Sequence, residues 1–584
     1  MSQVPASPVP CRSLTLKLRE LLAERTDRLL LRIVRANLNT QYASQSPSLA
    51  EFRNVITPHG TEVDGTLLQG FRNHVPLMDY ESYKPFVARF DEQPCKESEV
   101  ENLFAPGLPV YLAVSSSTSG KAPKTFAKYH HIAKEVPPAR PTLNLREAKG
   151  PTARVSYYGY RELKEVERNS GQVAKRIPVC IASGGMMRMR SGWSIDDDES
   201  RMPTIIPGEV APWAASMITH HRSFLMIHAL FYLTCRDLDR FFITFATLFI
   251  DLMRHVDEEW DMLVICIRDG IIPDLEGIER VRAHLQVHLH ANPERATELR
   301  VIGSPFSCVG WAARVWPKLR MLVTISSGTF ASVLPKARSV LGPTIAIRNP
   351  GYASTEAFIA VCYDIDDLDT FVLLTEDVVE FLGVAAEETH ENILQVWDLE
   401  VGRQYQIVLT TKNGLWRYLL GDIVEIVGFD ADDGSPVFKY SGRKSLFIRF
   451  PHTLISDTHL VTAIQAISSE DVIQVYEFTA IVDDRKLPAT VGYFVEGPLG
   501  PNSYLAPQRL FDALVSTNIE HQYALEHGQT RLPTIRMVEP GTFMDYRRWR
   551  GEKMNVGAGQ IKVPVVLSDC AAQEWIAERV IQEL

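Results

Sequence analysis

The chain has 584 residues, of which 45% are hydrophobic and 23% charged. That is ordinary globular composition at a length beyond which one core stops growing, so at least two domains sharing a cleft are expected. A formal charge of -10 argues against a footprint for nucleic acid or an anionic membrane surface, both of which need concentrated Lys and Arg; an anionic substrate would require a local basic site.

The first residues carry prolines where a secretory signal would want an apolar run, followed by an amphipathic, charge-laced helix, and read as a cytosolic N-terminus. Next comes YLAVSSSTSGKAPK, an apolar strand entering the hydroxyls of Ser115, Ser116, Ser117, Thr118 and Ser119, then Gly120, Lys121 and Lys124. Small residues let backbone approach a phosphate, hydroxyls donate to its oxygens and lysines offset its charge. The Walker A spacing is absent, and taken alone the segment is equally a Ser-rich turn. The acidic run from Asp196 to Glu199 reads as a solvated turn.

Apolar positions at helical spacing run from His220 to Val256, including Phe224, Phe231 and Tyr232, and predict a helical layer. Its most apolar part, 241–253, reads as a buried core helix, flanked by too many charges to make the roughly 20 residues of a bilayer span. His284, His288 and His290 follow on a probable helix where only the first two share a face, a weak metal signal. The eight cysteines, without a C-x-x-C pair, read as reduced structural thiols. Strand-like runs MLVTISS, GPTIAIR, FIAVCY, YQIVLTT and DIVEIVGF come next, separated by turn signals. Helices and sheets therefore share one large α/β domain.

Within this stretch, PGYASTEAF sets Tyr352, Ala353, Ser354, Thr355 and Glu356 before an apolar strand. An aromatic ring can stack on a purine, and a carboxylate can bind magnesium held by phosphates; a turn capped by Ser or Thr is the plainer alternative. In GLWRYLLGDIVEIVGF, Asp422 after Gly421 can accept hydrogen bonds from ribose hydroxyls, or close a hairpin turn. After SGRK the texture becomes a smaller alternation of helix (457–468), two strands joined across 483–486, helix (510–525), the strand PTIRMV and a last helical stretch. This predicts an N-terminal domain 1–440, a hinge 441–444 and an α+β C-terminal domain 445–584 of about 140 residues. Lys562, in GAGQIKVPVVL, has nothing local to distinguish it from a solvated surface lysine.

Taken together and in this order, the motifs resemble the signatures of the acyl-acid-amido synthetases, the auxin-responsive Gretchen Hagen branch of the adenylate-forming superfamily. Ser115 to Gly120 resembles the family's Ser/Thr/Gly phosphate loop, Tyr352 to Glu356 its Tyr-Ala-Ser-Ser-Glu motif, and Gly414 to Asp422 its Tyr-Arg-x-Gly-Asp motif. Lys562, in Gln-x-Lys-x-Pro, matches the C-terminal lysine. Similarity extends to VPLMDYESYKPFVARF, VWPKLRMLVTISSGTFASVLP and PGTFMDY, nearly the whole chain.

The resemblance implies a large domain holding ATP and acid, and a small C-terminal lid that reorients about Arg443. It implies adenylation of a small carboxylic acid, then transfer of the acyl group to an amine, such as an amino acid. Ser115 to Ser119, Gly120 and Lys121 would hold the β- and γ-phosphates, Glu356 magnesium, Asp422 the ribose and Lys562 the reacting carboxylate and phosphate. An acid:thiol ligase of coenzyme A type, or a catalytically weakened nucleotide-binding relative, are the alternatives. A cytoplasmic monomer with no nucleic acid or membrane partner is the default. Two positions depart from the family: Ser117 replaces a glycine, and Leu419 an arginine. Arg417, two residues before Leu419 and so on the same strand face, is expected to substitute. Lys128 and His130 are further cations that could hold the acid.

Overall fold

The computed structural model describes residues 8–56, 63–115, 124–130, 149–443, 447–450, 454–554 and 561–584. Strands Thr152–Val155, Arg240–Phe245, Met321–Ile325 and Ala346–Arg348 pair in that order as an all-parallel sheet. Helices His221–Thr234 and Ala246–Glu258 pack against it, and together they enclose the first core. The expected core helix over 241–253 is therefore corrected. Its first part, RFFITF, is a strand, and the helix begins only at Ala246. Strands buried on both faces carry unbroken apolar runs, so periodicity alone cannot separate such a strand from the helix that continues it; the aromatic and β-branched content of RFFITF favours the strand.

A five-stranded sheet orders Cys95–Lys96, Glu162–Glu167, Val173–Ile181, Tyr111–Val114 and Thr125–Lys128. The last two form an antiparallel pair on either side of the hydroxyl-rich loop. An eight-stranded antiparallel sheet is built around Tyr418–Phe429 and Pro436–Arg443, with Tyr352–Ala353 at one edge. Helix Leu16–Asn37, capped by the Thr15 hydroxyl, lays Leu22, Leu29, Leu30 and Ile33 along one face. That face closes a second core with these two sheets.

From Ile448 onward the buried residues gather into separate clusters. Their sheet pairs Glu477–Asp483 with Thr490–Glu496 as a hairpin, then Thr534–Val538 in parallel and Val580–Glu583 at the edge. The helix expected over 510–525 is two, Ala506–Thr517 and Glu520–Glu526. No helix among the described residues is long and apolar enough to cross a membrane.

Candidate active site

The segment before Glu356 is fixed by its glycine. Gly351 has φ +135°, and a Cβ there would lie 2.3 Å from the Ala360 carbonyl oxygen, so only glycine lets this turn lie against its neighbouring strand. Asn349 ties the turn down: its Oδ1 accepts from Gly351 N at 3.1 Å, and its Nδ2 donates to Ser327 Oγ at 3.3 Å, at the end of the parallel sheet. Ser354 Oγ accepts from the N–H groups of Glu356 and Ala357 at 3.2 and 3.3 Å, the turn-capping role that competes with a ligand role. Ala353 is exposed, Thr355 half-buried and Glu356 buried.

A bulge aims Asp422. Gln406 pairs with Ile423 but Val408 pairs with Leu419, so three residues of one strand oppose one of the other, and Gly421 takes φ +83° within this bend. Bulges re-aim side chains, and glycine accepts the left-handed backbone at little cost. Asp422 lies opposite Arg443 on the next strand, whose Nε is 3.1 Å from its Oδ1. The Tyr352 hydroxyl donates to the other oxygen, while its ring packs on Phe371, Phe438 and Tyr440. Burial pushes the Asp422 carboxyl above the ordinary carboxylate range against the pull of Arg443.

Tyr418, four residues before Asp422, joins the pieces. Its hydroxyl accepts from Lys124 Nζ at 2.9 Å and faces the Glu356 carboxylate; burial, then Glu356, push its ionisation far up. Lys124 and Ser115 close the two ends of the hydroxyl-rich loop, with Ser115 N donating to Lys124 O at 2.8 Å and Lys124 N to Ser115 Oγ at 2.9 Å. Ser116, Ser117, Thr118, Ser119, Gly120 and Lys121 lie outside the described residues. Buried Lys128 donates to the Glu356 carbonyl at 2.6 Å. It therefore holds the backbone of the turn, and burial lowers its ammonium to about 8 against the pull of Glu356 and Asp377.

From the C-terminal part of the chain, Lys562 reaches the same place. Its Nζ stands 4.7 and 5.1 Å from the ring centroids of Phe245 and Phe330, which are stacked at 4.6 Å. Burial, reinforced by nearby Arg443 and opposed by Asp422, lowers its ammonium to about 8. Glu356, Asp422, Arg443 and Lys562, contributed by three well-separated segments, thus share one site with Lys124 and Tyr418. Three cations face two carboxylates here, a local positive excess in an acidic chain.

Arg417 does not belong to this site. The strand starts at Tyr418, and Arg417, at φ +44°, turns inward. Its Nε and one terminal nitrogen bind Glu380 at 3.0 and 2.9 Å, and the other terminal nitrogen donates to the Arg72 and Val75 carbonyls at 2.8 Å each. The expected replacement for the missing arginine at 419 is thus a core arginine, and Arg443 is the cation beside Asp422. Phe224, Phe231 and Tyr232 are packed into the first core, the ordinary fate of buried aromatics. Tyr418, Phe245 and Phe330 are not singled out for the site by the sequence, and Lys128, expected as a cation that could hold the acid, instead donates to the Glu356 carbonyl. Tyr418 alone left a signal, two strand periods before Asp422; the two phenylalanines are distant in sequence and share no motif.

The model of the GH3 family N-terminal domain matches residues 16–345, and that of the GH3 family central domain residues 370–443. The probable indole-3-acetic acid-amido synthetase GH3.9 of Oryza sativa subsp. japonica is 25% identical over 371 residues, spanning 59% of this chain and 82% of that protein. The indole-3-acetic acid-amido synthetase GH3.17 of Arabidopsis thaliana is 24% identical over 569 residues, 88% of each chain. The solved structure of the GH3.15 acyl acid amido synthetase shares the fold, with a TM-score of 0.75 at 19% identity over 99% of this chain and 98% of that one.

Proposed function

Because the chain belongs to the GH3 family, a family of acyl acid amido synthetases, we propose that it is a ligase that adenylates an acyl acid with ATP and passes the acyl group to an amino acid at the site described above. The observation that carries this reading is the convergence of Glu356, Asp422, Arg443 and Lys562 from separate segments.

In the first half-reaction a carboxylate oxygen of the acid bonds to the α-phosphorus of ATP, and the bond to the bridging oxygen breaks as pyrophosphate leaves. Two anions must meet, and fixed cations stabilise the charge that builds in the transition state. Lys562 takes that part, its N–H groups directed at the reacting carboxylate and α-phosphate. Ser115 and Lys124, at the two ends of the loop, bind the outer phosphates. Asp422 accepts from the ribose hydroxyls, with Arg443 holding its carboxylate in place, and Tyr352 to Thr355 border the nucleoside.

Glu356, a buried carboxylate beside the Tyr418 hydroxyl, is the oxygen ligand this site offers to magnesium. The ion would rest on this one carboxylate and on the substrate's phosphates, the usual arrangement for magnesium, and when bound it offsets phosphate charge. In the second half-reaction the amine attacks the acyl carbonyl of the mixed anhydride, the bond to phosphate oxygen breaks, AMP leaves and the amine gives up a proton. No covalent enzyme intermediate is needed, provided water is kept out.

We place the junction between the two parts at 441–444, where the eight-stranded sheet ends at Arg443 and the separate C-terminal core begins at Ile448. The test is acid-dependent exchange of pyrophosphate into ATP across a panel of acids with magnesium, followed by product analysis with amino acids and with coenzyme A. Exchange with some acid, reduced about 10²–10³-fold in Glu356→Gln, Asp422→Asn and Lys562→Ala, and an amide product are expected. Exchange that survives all three changes overturns the assignment of residues; a thioester product overturns the acceptor.

A further inference from the structure

Apart from the reacting groups, the two parts of the chain are joined by a buried set of charges that this chemistry does not use. Arg547, on helix Thr542–Met554, places Nε and a terminal nitrogen 2.7 and 2.6 Å from the two carboxylate oxygens of Asp251, on helix Ala246–Glu258. Its remaining terminal nitrogen is 2.6 Å from Glu477. One turn beyond Asp251, Arg254 pairs with Glu496 at 2.5 Å, and Lys336 stands 4.1 Å from the ring centroid of Tyr476. Arg547, Asp251 and Glu496 are all buried. A two-pronged arginine–carboxylate pair fixes orientation as well as distance.

Both ends of this clamp lead to Lys562. On one side, Asp251 lies on the helix that starts straight after Phe245, the ring beneath the Lys562 ammonium. On the other, Glu477 opens the strand Glu477–Asp483, and that strand holds the segment after Lys562. Thr479 Oγ1 donates to the Pro564 carbonyl at 2.6 Å, Ala480 N to Val565 O at 2.7 Å, and Leu567 N to Ala480 O at 2.8 Å. Ile561, the neighbour of Lys562, packs on the first core.

We propose that Arg547, gripping Asp251 and Glu477 at once, is a positioning residue for acid activation: it seats the C-terminal part in the one orientation that brings Lys562 to Asp422 and Arg443. The inference rests on the adenylation reading. It separates the half-reactions, because bringing two anions together, acid and ATP, depends on that cation far more than attack of a neutral amine on the mixed anhydride does.

The experiment compares the full chain with Arg547→Met and Asp251→Asn in three measurements. These are acid-dependent pyrophosphate exchange, amide formation from chemically prepared acyl-adenylate and an amino acid, and acetylation of Lys562 by acetic anhydride, followed by mass spectrometry. Misplacing a reacting group by about 1 Å costs about 10²-fold in rate. Exchange is therefore expected to fall about 10²-fold, transfer from the prepared adenylate to stay within about 3-fold, and Lys562 to become readily acetylated. Equal losses in both half-reactions, or undiminished exchange, overturn the proposal. Should both variants fail to fold, the peripheral Arg254→Gln change is expected to give the same split at smaller size, and equal losses there also overturn it. Should the wild type exchange pyrophosphate with no acid, the adenylation reading fails, and acetylation still decides whether Arg547 seats Lys562.

Discussion

At the scale of single residues, Lys562 carries a measurable signature. Burial holds its ammonium near 8 instead of the ordinary 10.5, so above pH 8 the empty enzyme has largely lost this proton. The negative charge of ATP favours the protonated form, so binding must draw a proton in. At pH 8.5, titration calorimetry in two buffers of different ionisation enthalpy is expected to show net proton uptake on ATP binding. In Lys562→Met the uptake shrinks, with Lys128 left as a background that both proteins share; equal uptake in both counts against Lys562 as its source. The sign for stability follows the same shift. Below pH 8 the buried charge opposes folding in full, and the penalty fades as pH rises towards 10.5, because the unfolded chain keeps the proton longer. Glu356, Asp422 and Lys562 were named from the order of motifs, Lys562 having no local mark of its own, and the structure brings the three together. Arg417 was misread, because counting in twos presumes an unbroken strand and this strand begins one residue later.

At the scale of elements, the bend at Gly421 is the clearest case of backbone serving geometry. A Cβ there would meet nothing within 4 Å, so Gly421→Ala tests conformation without a clash. The left-handed backbone costs a non-glycine residue about 1–2 kcal/mol. Urea denaturation is expected to register that loss, with a raised KM for ATP as Asp422 is re-aimed; an unchanged KM with the full stability loss would detach the bend from nucleotide binding. Sequence pattern supplied the existence of most strands, including FIAVCY, YQIVLTT and the C-terminal hairpin. It failed at Arg240–Phe245, where an inner strand runs directly into a helix and a nearly unbroken apolar run from Phe241 to Ile250 spans the join. The break between Thr517 and Glu520 was hidden for a related reason, since the apolar spacing persists across Asn518.

At the scale of the whole molecule, Glu356, Asp422 and Arg443 meet Lys562 from the far side of the proposed junction, and the cores behind them are separate. A chain ending at Arg443 is therefore expected to fold and bind ATP, seen as a ligand-induced rise in Tm, while exchanging pyrophosphate about 10²–10³-fold more slowly for want of Lys562. Exchange near the full rate would remove that lysine from the chemistry. Length and composition led to the expectation of a division into parts, and the change of texture after SGRK is where we propose that it lies. Nothing in the sequence foretold how the parts meet, because Asp251 and Arg547 are 296 residues apart and neither stands in a pattern.

The aromatic pair under Lys562 has a consequence for how that lysine is kept ready. A carboxylate partner would stabilise the buried ammonium but would also occupy its protons and repel an incoming phosphate. The rings of Phe245 and Phe330 border the ammonium; an aromatic ring attracts a cation through its quadrupole and has no lone pair to accept a hydrogen bond. The rings act as a non-competing solvent, leaving the choice of hydrogen-bond partner to whichever anion arrives.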